Sequence, residues 1–257
     1  MNITSTAILF VLVLLGGILL LIETGRRIAL WRMSKDAEGA RAGLGTIEGA
    51  VFGLMGLLLA FTFSGASARF DTRRQMIVEE ANAIGTAYLR LDLLSAAAQP
   101  ALKEKFRKYV DARLAVYRTL PDFEAAKAEL TRVAALQNEI WTQAVTACRE
   151  SAQPPTMLVL PALNQMFDVA TTRTAMLRMH PPPVIFIMLI ALVLTGSLLA
   201  GYGMVTSKIR SWLHILGFAA AMSVAVYVIL DFEFPRVGLI RVGTFDRVLV
   251  DLRDSMK

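Results

Sequence analysis

Four long stretches of the chain contain no Asp, Glu, Lys or Arg, and the remainder is polar with helical spacing. The uncharged stretches are residues 1–22, 49–68, 179–207 and 211–230. About 20 apolar residues in an α-helix cross the ~30 Å hydrocarbon core of a bilayer. The pattern therefore predicts four membrane-spanning helices, with a polar insert between the second and the third.

We predict an all-α integral membrane protein with a helical extramembrane bundle inserted between spans two and three. The spans are predicted at about residues 6–22, 44–66, 184–204 and 212–230. The predicted domains are residues 1–66 (spans one and two with a basic linker), 67–182 (the extramembrane bundle), 183–231 (spans three and four) and 232–257 (a C-terminal tail).

Span two is predicted to continue beyond the membrane as one long helix. No strong stop follows Ala66, and Phe70, Ile77, Ile84 and Leu91 recur every seven residues. This spacing is typical of a helix with one packed seam. We expect the helix to reach about residue 95 and to be broken by the Gln-Pro pair at 99–100.

Three further helices are predicted in the insert. The first has an apolar face from Leu102 to Tyr117 and ends near Pro121, and Asp122 is the expected N-cap of the second. Residues 151–155 are expected to form a loop, and the last helix covers about 156–179. Each helix has a single apolar stripe, so the helices should pack together or against neighbouring subunits.

Composition and chemistry exclude several functional classes. The net charge is +6 and the isoelectric point is about 9.7, but basic loops beside membrane spans are a common source of such a balance, so no nucleic-acid binding is predicted. The single cysteine, Cys148, excludes an internal disulfide and a multi-cysteine metal site. With two histidines and no catalytic motif, we predict no enzyme activity, no metal and no cofactor.

Small residues recur along span two. They are Gly45, Gly49, Gly53, Gly56, Ala60 and Ser64. Small side chains let helix backbones approach closely in lipid. Two interpretations remain: tight packing within the chain, or a seam that faces an oligomer axis or a pore. The glycines near the end of span three, from Gly196 to Gly203, are assigned to helix packing.

A candidate ion path follows span two at helical spacing. The predicted lining residues are Gly49, Phe52, Gly56, Ala60 and Phe63, with the hydroxyls of Thr62 and Ser64 near the membrane exit. The predicted mouth residues are Arg69, Arg73, Arg74, Glu79 and Asn82, with Glu80 beside them. Apolar rings can gate by dewetting, and arginines would concentrate anions. The alternative is that the arginines only mark the membrane boundary.

Two charged groups are expected to have structural roles at the ends of the spans. Asp231, Glu233 and Arg236 are predicted to form an ion-paired junction that ends span four. His180 stands beside three prolines and is expected to cap or anchor the start of span three rather than to bind a metal.

The numbers of Lys and Arg residues on the two sides of the membrane are nearly equal, so they give only a slight preference for one orientation. The two short loops carry almost as many Lys and Arg residues as the insert and tail do near their span ends. Because the first helix usually dominates, the count favours an insert outside the cytoplasm.

Several motifs resemble a family of bacterial membrane proteins described as bestrophin-like. The motifs lie at residues 57–65, 69–73, 79–87, 160–164, 180–182 and 231–236, and the resemblance covers about residues 40–250. Bestrophins are pentameric anion channels with four spans per subunit and an aromatic and aliphatic neck on span two. In this chain the resemblance assigns neck rings to Phe52, Phe61 and Phe63.

The resemblance implies a homo-oligomeric anion channel, with five subunits and small anions as the permeating partners, in the bacterial inner membrane. Bestrophins carry the insert in the cytoplasm, which conflicts with the charge count. The chain also lacks the acidic calcium clasp of the animal members. The alternative function is a non-conducting scaffold or sensor that uses the helical bundle to bind a partner.

Overall fold

The computed structural model of the chain is helical in all the regular structure that it describes. The described residues are 3–36, 44–120, 122–150, 153–204, 211–236 and 238–256. The helices are α1 (Ile3–Met33), α2 (Leu44–Arg90), α3 (Gln99–Thr119), α4 (Phe123–Arg149), α5 (Gln153–Met176), α6 (Pro183–Gly203), α7 (Trp212–Glu233) and α8 (Arg247–Ser255). Short 3-10 helices cover Leu91–Leu93 and Gly243–Asp246.

The chain divides into two compact units. The membrane unit comprises Met1–Arg69 and His180–Ile240, and the insert unit comprises Phe70–Met179 and Arg241–Lys257. Four helices are long and apolar enough to cross a membrane, namely α1, α2, α6 and α7. The predicted all-α fold with four candidate spans is therefore confirmed.

Close backbone contact between α1 and α6 organises the membrane unit. A Cβ atom on Gly25 would lie 2.0 Å from the carbonyl oxygen of Leu198, and one on Gly201 would lie 1.9 Å from that of Ile22. Only glycine permits this approach, which is the packing role expected of small residues in lipid. The assignment of the span-three glycines to helix packing is confirmed at Gly201.

The end of α7 is closed by hydrogen bonds to backbone. The carboxylate of Asp231 accepts from the N–H groups of Leu239 and Ile240 at 2.9 and 2.8 Å, and from the hydroxyl of Tyr227 at 3.1 Å. The predicted ion-paired junction is therefore wrong for Asp231, whose bonds go to backbone and a hydroxyl.

In the insert unit, α2 packs with α3, α4, α5 and α8 around one apolar core. Ile84, Phe106, Tyr109, Ile140 and Leu163 are fully buried in it. Each comes from the apolar stripe of its helix, so the predicted bundle packing occurs within a single chain.

Helix boundaries agree with the sequence at some ends and differ at others. The Oδ1 atom of Asp122 accepts from two N–H groups of the first turn of α4, which confirms the predicted N-cap. Pro100, however, lies in the first turn of α3, well after α2 ends at Arg90, and residues 153–155 form the first turn of α5 instead of a loop. Proline fits a first helical turn because the N–H that it lacks has no partner there. Predictions at Pro121, residues 151–152 and the basic turn at 205–210 lie outside the described residues.

Candidate functional site: an exposed face of helix α2

In each of the two units, the part of helix α2 that belongs to it has one exposed side and an opposite side that is half-buried or buried. The exposed positions recur every three or four residues, as one helical face requires. We call this the open face. In the membrane unit it comprises Thr46, Ala50, Gly53, Leu57, Ala60 and Ser64. In the insert unit it comprises Asp71, Gln75, Val78, Asn82, Thr86 and Leu89.

The glycines on and beside this face pack against none of the residues that the structure describes. A Cβ atom added to Gly45, Gly49, Gly53 or Gly56 meets no other atom within 4 Å. By contrast, a Cβ atom added to Gly201 would lie 1.9 Å from the carbonyl oxygen of Ile22. The interpretation that packs the span-two glycines within the chain is therefore wrong, and a seam toward another molecule or a path remains.

Some of the predicted lining residues lie on or beside the open face. Ala60 and Ser64 belong to it, and Gly49 and Gly56 are exposed at its edge. Two large apolar side chains also project there, Leu57 (54% exposed) and Phe61 (67%). Phe61 was indicated only by the family resemblance, and Leu57 was not among the predicted lining residues.

The remaining predicted lining residues contact the membrane unit itself, although Phe63 is still 45% exposed. The ring of Phe52 packs edge-on against Phe218 at 6.3 Å, and Phe63 packs in the same way against Phe232 at 5.7 Å. The hydroxyl of Thr62 donates to carbonyl groups of its own helix, which leaves no free donor for an ion. Phe52 and Thr62 are therefore partly buried, whereas Phe63 remains exposed beside Ser64.

Arg69 belongs to a polar cluster at the membrane boundary, which we call the Glu233 cluster. Its guanidinium lies 2.8 Å from Oε2 of Glu233, whose side chain is fully buried. The Nδ1 atom of His180 lies 2.9 Å from the other carboxylate oxygen, and the His180 ring stacks on Phe234. The predicted anchoring role of His180 is confirmed, and the positive charge of Arg69 has a fixed counterion.

The other two mouth arginines are engaged within the insert unit. Arg73 is 8% exposed and donates to the carbonyl oxygen of Met179 at 3.0 Å. Arg74 pairs with Asp71 at 3.2 Å, and its guanidinium lies over the ring of Phe245 at 4.2 Å. The arginines predicted to attract anions therefore already have partners in the chain.

Glu79 and Asn82 line a cleft beside the open face. The cleft has a volume of about 420 Å³, and its other polar walls come from Gln75, Thr86 and Gln165. Glu79 is exposed and forms no ion pair with any described residue. Glu79 is thus an uncompensated acidic group on the α2 surface.

Glu80, the next residue, is buried in an ion-pair network that sequence reasoning missed. Its carboxylate accepts from both Arg113 and Arg173, and Arg173 also binds Asp246 at 2.7 Å. Two carboxylates therefore balance two guanidinium groups. Burial works against the charged form of Arg113, but Tyr117 and Glu80 raise its pKa overall. Glu80 is therefore a buried structural residue and does not belong with the exposed mouth residues.

Comparison with solved structures identifies the fold. A tryptophan-to-alanine variant of a bacterial bestrophin homologue from Klebsiella pneumoniae has a TM-score of 0.71 and 14% identity, over 95% of this chain and 98% of that chain. The same homologue, in the structure phased with zinc, has a TM-score of 0.65 and 14% identity, over 92% and 97% of the two chains. No curated protein matches the sequence.

The family follows from the sequence itself. Residues 30–244 match the Bestrophin-like domain family. The match includes span two, the insert and the last two spans, so it covers most of the chain and the whole open face. The chain therefore belongs to the Bestrophin-like family.

Proposed function

We propose that this protein forms a homo-oligomeric ion channel whose axial path is lined by the open face of α2. The observation that carries the proposal is the open space at the glycines on and beside this face, since a Cβ atom at Gly45, Gly49, Gly53 or Gly56 meets nothing within 4 Å among the described residues. In a closed ring of identical subunits, the same helix face from every subunit would surround the axis.

The composition of the open face fits an axial path better than it fits a lipid contact. Its membrane part carries no charged side chain, and its insert part is mostly polar, with Asp71, Gln75, Asn82 and Thr86. Lipid contact would not explain why the membrane part is rich in glycine, and the polar side chains of the insert part suit a path filled with water. A water-filled path that narrows within the membrane accounts for both.

Leu57 and Phe61 are the proposed constriction. They are large, apolar and exposed in the single chain, next to small residues that would widen the path. Rings of such side chains gate ion channels by excluding water when the radius is small. This assignment replaces Phe52 and Phe63, which contact other helices.

The charge beside the path favours cations over the anions that the family resemblance implies. Arg69, Arg73 and Arg74 are engaged, whereas Glu79 is exposed and unpaired among the described residues. Rings of acidic side chains favour cation passage. We therefore propose small cations as the permeating ions, with small anions as the competing assignment.

Cysteine substitution tests the path directly, because the native Cys148 is buried and can be replaced by serine. In that background, Ser64→Cys and Gly53→Cys should each make ion flux in liposomes sensitive to a positively charged methanethiosulfonate reagent. Val224→Cys, on an exposed position of α7, is the matched control and should leave the flux insensitive.

The same preparation separates the competing functions. A reversal potential measured in a salt gradient should follow the cation, and Glu79→Gln should move it toward zero. A reversal potential that follows chloride would assign the path to anions. A properly assembled protein with no flux would support the non-conducting scaffold or sensor.

A further inference from the structure

Helix α1 is much longer than a membrane span requires. It contains 31 residues and is therefore about 46 Å long, whereas about 20 residues cross the hydrocarbon core. Its first charged residue is Glu23, and the helix continues to Met33. The last turns of α1 thus extend past the uncharged span while keeping helical structure.

This extension combines exposed apolar and basic side chains. Trp31 is 59% exposed, and Ile28 and Leu30 are 41% and 47% exposed. The ammonium group of Lys35 lies 4.0 Å from the centre of the Trp31 ring. Tryptophan beside lysine or arginine is typical of the zone where lipid headgroups meet the hydrocarbon core.

The charge of the extension is not fully neutralised by the residues that the structure describes. Arg26 and Arg27 share Glu23, at 3.8 and 3.0 Å. Arg32 and Lys35 form no ion pair with any residue that the structure describes. Asp36 is the nearest acidic neighbour in sequence and has an interaction of its own. Two cationic groups flanking an exposed indole ring remain available.

A second tryptophan marks the same end of the membrane unit. α1 and α6 run in the same direction, because Gly17 lies beside Leu194 and Gly25 lies beside Leu198 and Tyr202. The end of α1 and the start of α7, which follows α6, are therefore at one end of the span bundle. Trp212 begins α7 there and is 53% exposed.

We propose that the α1 extension, with Trp31, Arg32 and Lys35 at its centre, binds the headgroup of an anionic phospholipid. The two cations would bind the phosphate and the acidic headgroup, and the indole ring would lie against the glycerol and upper acyl chain. A zwitterionic lipid offers the same apolar surface without the net negative charge. This site depends on the membrane location of the chain and not on ion conduction.

Tryptophan quenching tests the proposal on the full-length protein in vesicles. With Trp141→Phe and Trp212→Phe, Trp31 is the only remaining tryptophan. Brominated phosphatidylglycerol should quench its fluorescence more than brominated phosphatidylcholine at the same mole fraction. The expected local enrichment is about fivefold, the ratio for one basic residue at an anionic surface, and high salt should reduce it.

Substitutions assign the effect to the named side chains. Arg32→Gln with Lys35→Gln should abolish the excess quenching, while Arg32→Lys should retain it. Lys108→Gln with Arg132→Gln removes two exposed cations from the insert unit and should change nothing. Equal quenching by the two brominated lipids in the Trp31-only protein, or loss of the excess with the control pair, would overturn the proposal.

Discussion

Glycine residues have two opposite roles in this chain. Gly25 and Gly201 allow backbones to touch between α1 and α6, while Gly49 and Gly53 lie on or beside an exposed face of α2. Gly49, Gly53 and Gly201 all occur in uncharged helical sequence, whereas Gly25 stands between Glu23 and Arg26. The environment that distinguishes them is provided by other helices, so local sequence could not separate the two roles.

Alanine substitution should distinguish these glycines by stability. Gly201→Ala places a methyl group onto the Ile22 carbonyl and should lower the free energy of unfolding by about 1–3 kcal/mol. Gly49→Ala meets open space and should cause no loss in the single subunit. Thermal unfolding in detergent measures both, and equal losses would contradict the packing described.

Glu79 and Glu80 form a natural matched pair for testing the buried network. Glu80→Gln leaves Arg113 and Arg173 with less compensating charge in a buried site and should cost about 3–5 kcal/mol. Glu79→Gln changes an exposed side chain and should alter stability by less than about 0.5 kcal/mol. Denaturant unfolding of the intact chain measures the difference, and similar values for the two variants would remove the network from the stability of the insert unit.

At the scale of elements, the continuity of α2 could be predicted from the sequence. The side of the helix that packs against other helices could not. A hydrophobic repeat without a breaker predicted one helix through span two into the insert, and α2 runs unbroken to Arg90. The stripe through Gly49, Phe52 and Phe63 has the helical period, but Phe52 is half-buried while Gly49 and Phe63 are exposed. Period is a property of the backbone, whereas the packing of Phe52 against Phe218 depends on where α7 lies.

The turn after α7 should behave as one coupled element. A Cβ atom on Gly238 would overlap Oδ1 of Asp231, the same atom that accepts from Leu239. Asp231→Ala and Gly238→Ala should each lower the melting temperature. The double variant should lose less than the combined losses of the single variants, because both disrupt the same hydrogen bonds. Additive losses in thermal unfolding would show that the two residues act separately.

At the scale of the whole molecule, surface ion pairs should make the stability of the insert unit depend weakly on pH in the acidic range. A hydrogen bond from Lys105 lowers the pKa of Glu139, and one from Arg107 lowers that of Glu104. A lowered folded-state pKa adds stability above the unfolded-state pKa, and this stability is lost as the pH falls through the folded-state value. The pairs are exposed, so the effect should be small and should weaken in high salt.

Lys105→Gln isolates one of these pairs. The variant should show a smaller loss of stability than the parent between about pH 5 and pH 3, measured by denaturant unfolding. Lys127→Gln, an exposed cation elsewhere on α4, is the control and should keep the parent's pH dependence. An unchanged pH profile in Lys105→Gln would show that this pair makes no contribution.

The sequence alone determined that the chain is an all-α membrane protein with four spans and a helical insert. Length, absence of charge and the 1.5 Å rise of a helix suffice for that conclusion, because they do not depend on which residues meet. The tertiary structure decided which side of α2 stays exposed and which charges are already paired. Arg69 with Glu233, and Glu80 with Arg113 and Arg173, are contacts between residues far apart in the chain. Their partners are set by helix packing, so the charge available to an ion can be identified only after folding.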